Sequence, residues 1–152
     1  MPTSRARLVR RVAVDPAGAH YASAFAVPAV DLPPLTPEDW ARGTLEGAPA
    51  AMRWFVRAGW LGVLGLRLGP RSSAQHVLGW PVAVSGPDGI TLEAHSPLLT
   101  ARNVVSVDGD ALVWATYVHG ESRRGRAVWA AAAPLHHLII PFLLDRAVRR
   151  AS

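Results

Sequence analysis

From Tyr21 onward, the spacing of apolar and polar positions divides the chain into stretches of different period. "YASAFAV" (Tyr21–Val27) carries aromatic and β-branched residues and stops at Pro28, which predicts a first strand. "PAVDLPPL" reads as a proline-rich connector. Helix signals gather at "TPEDW". Thr36 can cap, Pro37 suits the first helical position, and Glu38 and Asp39 lie at the positive end of the dipole. "GAP" at 47–49 ends that helix. A second starts near Ala50, runs through Met52, Trp54, Phe55 and Leu61, and fades into glycines at 59, 62, 65 and 69.

From His76 the texture changes to short β-rich runs joined by tight polar turns. "HVLGWPVAV" leads to the turn "GPDG" (Gly86–Gly89) and then "ITLEAHS". "LLTARNVVSV", the hairpin signal "DGD" at 108–110 and "ALVWATYVH" follow, then the polar loop "GESRRG" and a final strand in "RAVWAAAA". These predict an antiparallel meander. Pro134 then opens the last helix, with Leu138, Phe142 and Leu143 on one stripe above Ala147 and Pro141 kinking it. The prediction is an α+β fold in a single domain over 1–152, with flexible ends at 1–15 and 151–152.

Composition narrows the chemistry. A chain of 152 residues, half of them apolar, can bury a core as one domain. Cysteine is absent, which excludes disulfides, thiolate catalysis and cysteine-bound metals. Lysine is absent too, so all 16 Lys+Arg positions are arginines, and neither Schiff-base chemistry nor a P-loop lysine exists. The net charge of +5 gathers in "RARLVRR" and "RAVRR" near the ends, where solvated termini explain it better than nucleic-acid binding. Arg10, Arg11, Asp15, Pro16 and His20 interrupt any secretory h-region. "WLGVLGL" and "LIIPFLL" fall short of the roughly 20 residues a span requires, so the expectation is a cytoplasmic protein without a membrane span.

Several motifs carry a family likeness: a strand with Thr116 and Val118, the pair Gly125 and Arg126, Trp129, and Pro134 with His136 opening the closing helix. With the order of elements over roughly residues 20–150, they resemble the START-like, or SRPBCC, helix-grip superfamily. Within it, the likeness is to small bacterial proteins related to polyketide cyclases. His137 stands where an arginine is expected, and Ala130–Ala133 stand where larger residues are expected. The resemblance implies an antiparallel sheet wrapped around a long C-terminal helix, two short helices after the first strand, and a cavity between sheet and helix for an apolar ligand. Members range from lipid carriers and hormone receptors to aromatase/cyclases and ring-cleaving oxygenase subunits, so the fold selects no chemistry.

His136 and His137 are neighbours, whereas a helical metal pair needs i, i+4, so no metal and no cofactor is expected. His136 is expected to bond a nearby group and His137 to lie on the surface. Glu93 and His95 share one strand face and His119 ends another strand; facing inward the three could bind a metal or act as acid and base. Apolar Leu92 and Ala94 compete for that inner face, which points the polar residues outward. Arg102 could hold an anion if buried, or snorkel at a sheet edge. Leu112, Trp114, Thr116 and Val118 form one strand face and Val113, Ala115, Tyr117 and His119 the other, and both are apolar enough to be buried.

The leading expectation is a small hydrophobic ligand held by Trp80, Trp114, Thr116, Trp129, Leu138 and Phe142. One alternative is a cyclase, dehydratase or isomerase that moves a proton in the same cavity through His119, Glu93 or Arg102. Another is a non-catalytic interaction protein, dimeric through excess apolar surface.

Overall fold

A computed structural model describes residues 9–16, 18–29, 32–109, 111–120 and 122–151. The strands are β1 (Arg10–Val12), β2 (Tyr21–Pro28), β3 (Ser72–Ser73), β4 (His76–Val77), β5 (Trp80–Ser85), β6 (Gly89–His95), β7 (Leu99–Asp108) and β8 (Ala111–Gly120). The helices are α1 (Pro37–Leu45), α2 (Ala50–Ala58), which continues into a π turn at Gly59–Val63, and α3 (Arg123–Ala151). All eight strands form one antiparallel sheet in the order β1-β2-β8-β7-β6-β5-β4-β3. The chain therefore places β2 beside β8, carries α1 and α2 to the far edge, and returns strand by strand. The architecture is α+β, with two short helices between β2 and the meander and a long C-terminal helix, as expected.

Register shows why one face is buried. Ile90, Val105, Trp114 and Phe25 lie opposite one another across four strands, and all four are buried. Leu92, Asn103, Thr116 and Ser23 form the next row on that face. Its polar members are equally buried, and Asn103 Oδ1 accepts hydrogen bonds from Thr116 Oγ1 (2.7 Å) and Trp114 Nε1 (3.2 Å). Unpaired, these groups would each cost about 1–3 kcal/mol. The opposite face carries Glu93, Arg102, Tyr117 and Ala22 in one row. Leu112, Trp114, Thr116 and Val118 are thus the inner face of β8.

The capping signals at α1 are realised. Asp39 N–H donates to Thr36 Oγ1 and Thr36 N–H donates to Asp39 Oδ2, a reciprocal box with Pro37 just inside. Arg42 then ties α1 to the β3–β4 hairpin, donating to Glu38 (2.9 Å), Glu46 (3.2 Å) and the carbonyls of Ser73 (2.8 Å) and His76 (3.0 Å).

Three expectations are corrected. "HVLGWPVAV" is not one strand: Leu78 (φ 47°) and Gly79 (φ 94°) turn the chain between β4 and β5. Leu78 is held in this left-handed conformation by Glu46, which accepts from its N–H, and Arg57, which donates to its carbonyl. "RAVWAAAA" is helix, because α3 starts eleven residues before Pro134 (at Arg123) and Ser122 Oγ accepts from Gly125 N–H. Alanine's helix propensity wins over the strand reading. Of the ends expected to be flexible, Arg10–Val12 pairs with β2 and Ala151 ends α3, while residues 1–8 and 152 lie outside the described residues. The C-terminal arginines are not simply solvated, since Arg146 and Arg150 both donate to the Gly47 carbonyl and Arg149 pairs with Asp145.

Helix α3 packs its Ile140, Leu143, Leu144, Ala147 and Val148 side into the core. Leu138 and Phe142, expected on that stripe, project elsewhere and are 71% and 49% exposed. With its full length known, α3 is long and apolar enough to cross a membrane by length and composition, a test that core helices of soluble proteins also pass. Pro134 and Pro141 both lie inside it.

Candidate ligand-binding site

Helix α2, its π turn and the middle of α3 lean apart over the sheet and leave a cavity of about 510 Å³ open to the surface. Trp54, Phe55 and Trp60 wall one side; Ala132, Leu135 and Ile139 wall the other. Leu45, Trp60, Leu64, Trp129, His136 and Ile140 also border a deeper recess of about 30 Å³, whose floor is Trp80, Asn103, Trp114 and Thr116 from the sheet. That volume accommodates about one water molecule. The π turn contributes Gly59, Trp60 and Val63 to the cavity lining. Leu64 N–H bonds back to the Gly59 carbonyl (3.1 Å), which widens the helix by one residue and carries Trp60 inward against Trp80, ring centroids 5.5 Å apart.

Among the described residues, no Asp, Glu or Arg lines either space. The titratable group in their walls is His136. Burial, reinforced by the positive fields of His137 and Arg11, pushes its pKa down to about 4, so the ring is neutral at neutral pH. Its Nε2 is buried without a hydrogen-bond partner among the described residues, as are the indole nitrogens of Trp80 and Trp129. Trp129 meets His136 edge-on at 5.3 Å and Tyr21 at 5.0 Å, and the Tyr21 hydroxyl hydrogen-bonds His137 Nε2. His137 is therefore half-buried and partnered, contrary to the surface position expected of it, and burial lowers its pKa and raises that of Tyr21.

These histidines make stability depend on pH. In the unfolded chain His136 titrates near 6.5; in the fold it does so near 4. Between those values the unfolded chain binds a proton that the fold refuses, so stability is complete above about pH 6.5 and falls as pH drops towards 4. Urea unfolding at about pH 7 and pH 5 should show a loss of about 2 kcal/mol that a His136→Phe variant lacks. Equal losses in both proteins would refute this assignment.

The residues proposed from sequence divide cleanly. Trp80, Trp114, Thr116 and Trp129 wall the recess, with Trp129 on α3 instead of a strand. Leu138 and Phe142 line neither space, because the i, i+3, i+4 stripe facing the sheet runs through His136, Ile139, Ile140 and Leu143. Glu93, Arg102 and His119 are outside it as well. Glu93 faces outward and pairs with His95 at 3.1 Å, and Arg102 lies over the Tyr117 ring at 5.1 Å on the same outer face. His119 stands opposite Thr100 on that face. Sequence reasoning missed His136, Asn103 and Trp60. The signal for His136 was its place seven residues after Trp129 and four before Ile140, which puts all three on one helix face.

Among the described residues no group of three or more His, Asp or Glu is arranged to hold a metal ion. Residues 16–143 match the model of a protein family described as a protein of unknown function (DUF2867). No curated protein and no solved structure matches the chain.

Proposed function

The chain belongs to the DUF2867 family, and from the geometry of its cavity we propose that it binds a small, predominantly apolar molecule between α2 and α3. The observation that carries this reading is the open apolar cavity of about 510 Å³ leading to a recess with a polar floor. Its size falls within the usual range of small-molecule sites, and a few placed polar groups among aromatic walls are their usual lining. The START-like kinship belongs to the same reading: the strand order and the long closing helix are compatible with a helix grip. The site sits between two helices above the sheet instead of wholly beneath α3.

Titration with N-phenylnaphthylamine, a neutral apolar dye, should give saturable fluorescence enhancement. Ala132→Phe, which fills the cavity from an α3 wall, should weaken it by about tenfold, the equivalent of about 1.4 kcal/mol. Absence of saturable binding to the wild-type chain would overturn the proposal.

A second reading, self-association, is favoured by the exposed apolar rim of the cavity, where Trp54 is 71% exposed beside Phe55, Val63 and Leu135. Sedimentation of the wild type against Trp54→Glu distinguishes it, since a dimer formed through the rim would dissociate. The cyclase, dehydratase or isomerase alternative draws no support from Glu93, Arg102 or His119, which line neither space.

A further inference from the structure

The recess raises a question that the apolar cavity does not. Trp80 Nε1, Trp129 Nε1 and His136 Nε2 are buried and unpartnered among the described residues, and all three side chains wall the same volume of about 30 Å³. Burying a donor without an acceptor costs free energy, and the three side chains that carry such nitrogens wall one small space, which marks it as a place for a polar guest. An indole N–H only donates, and a neutral imidazole contributes one donor and one acceptor. The Asn103 carbonyl oxygen on the floor is already taken by Trp114 and Thr116. The uncommitted capacity is thus mostly donor capacity.

Charge decides the rest. Among the described residues neither Arg nor any acidic residue lines the recess, so a carboxylate or phosphate would be desolvated with no counter-charge there, and an ammonium would find no carboxylate. The tryptophan faces could attract a quaternary ammonium, but a space for about one water excludes a trimethylammonium group.

We infer that the recess takes the uncharged, hydrogen-bond-accepting oxygen of the ligand, a ketone, ester or similar carbonyl, through Trp80 and Trp129, while the apolar remainder fills the outer cavity. This rests on the proposed ligand-binding reading. It assigns that ligand's class as an elongated apolar molecule ending in a neutral carbonyl.

Displacement of N-phenylnaphthylamine from the full chain by decane, methyl octyl ketone, decanoate and decyltrimethylammonium tests it. The ketone should bind about tenfold more tightly than decane, from two or three added hydrogen bonds, and both ions should bind more weakly than the ketone. Trp129→Phe should reduce the ketone-to-decane ratio severalfold, and Trp80→Phe provides the same readout should the first variant fold poorly. A ratio near one in the wild type, or preference for either ion, overturns the head-group assignment and leaves the cavity reading standing. Failure of every probe, the dye included, overturns both.

Discussion

Gly125→Ala is expected to destabilise the domain by about 3 kcal/mol, even though alanine is the better helix former by about 1 kcal/mol. A Cβ at this buried position in the first turn of α3 would stand 2.0 Å from the Leu98 carbonyl oxygen and 2.9 Å from its carbon. Neither can retreat. Leu98 lies in a turn closed by the Ser96 N–H bond to the Leu99 carbonyl (2.8 Å), with the Ser96 hydroxyl accepting from the N–H groups of Leu98 and Leu99. The start of α3 must move instead, taking Trp129 with it. Gly43→Ala is the matched control: it lies exposed within α1 with no atom inside 4 Å of the added methyl, and should gain about 0.5–1 kcal/mol. Thermal unfolding should separate the two variants by about 10 °C, with opposite signs relative to wild type. Comparable melting temperatures would show that the Leu98 contact yields freely.

Trp114→Ala should cost more, about 4 kcal/mol. The side chain is 1% exposed, lies across the sheet from Phe25 and Val105, and donates to Asn103 from its ring nitrogen. Its removal deletes the largest fully buried side chain and enlarges the recess it floors. Against a typical total of about 5–15 kcal/mol, that loss brings the domain close to unfolding at physiological temperature. Trp114→Phe keeps most of the volume and loses one donor, for about 1–2 kcal/mol. Equilibrium urea unfolding of the pair separates packing from hydrogen bonding. A loss below about 1 kcal/mol for the alanine variant would remove Trp114 from its central place in the core.

The fold was legible where local chemistry and global packing agree. The Thr36 cap, the break at 47–49, the turn at 86–89 and the hairpin that joins β7 to β8 are short-range signals that tertiary structure had no reason to override. Glu93 and His95 were placed outward by alternation with Leu92 and Ala94, and that holds. The misreadings have a common source. Residues 126–133 combine strong helix formers with Val128 and Trp129, and the proline at 134 looked like a start signal when it is an interruption. With Trp129 read as strand, the helix lacks the buried residue that marks its inner face, and Leu138 and Phe142 look as eligible for that face as Ile139, Ile140 and His136. Trp80, Trp114 and Thr116 floor the recess from the sheet, but the two faces of β8 are equally apolar in sequence, so only the register against β2 and β7 decides which one is inward. The cavity mouth was not legible, since its lining includes a π turn that no periodicity announces.

Pro134 and Pro141 bring no N–H to the helix ladder, so the carbonyls of Ala130 and His137 lose their i+4 donors. The stretch between them supplies Leu135, His136, Ile139 and Ile140 to the cavity wall. The wall is therefore the span of α3 that lacks two ladder hydrogen bonds, lying between the Ser122 cap at the helix start and the ties of Arg146 and Arg150 to the Gly47 carbonyl. In the proposed ligand-binding reading, a guest entering between α2 and α3 would press on the part of the helix that has the fewest backbone hydrogen bonds to hold its shape.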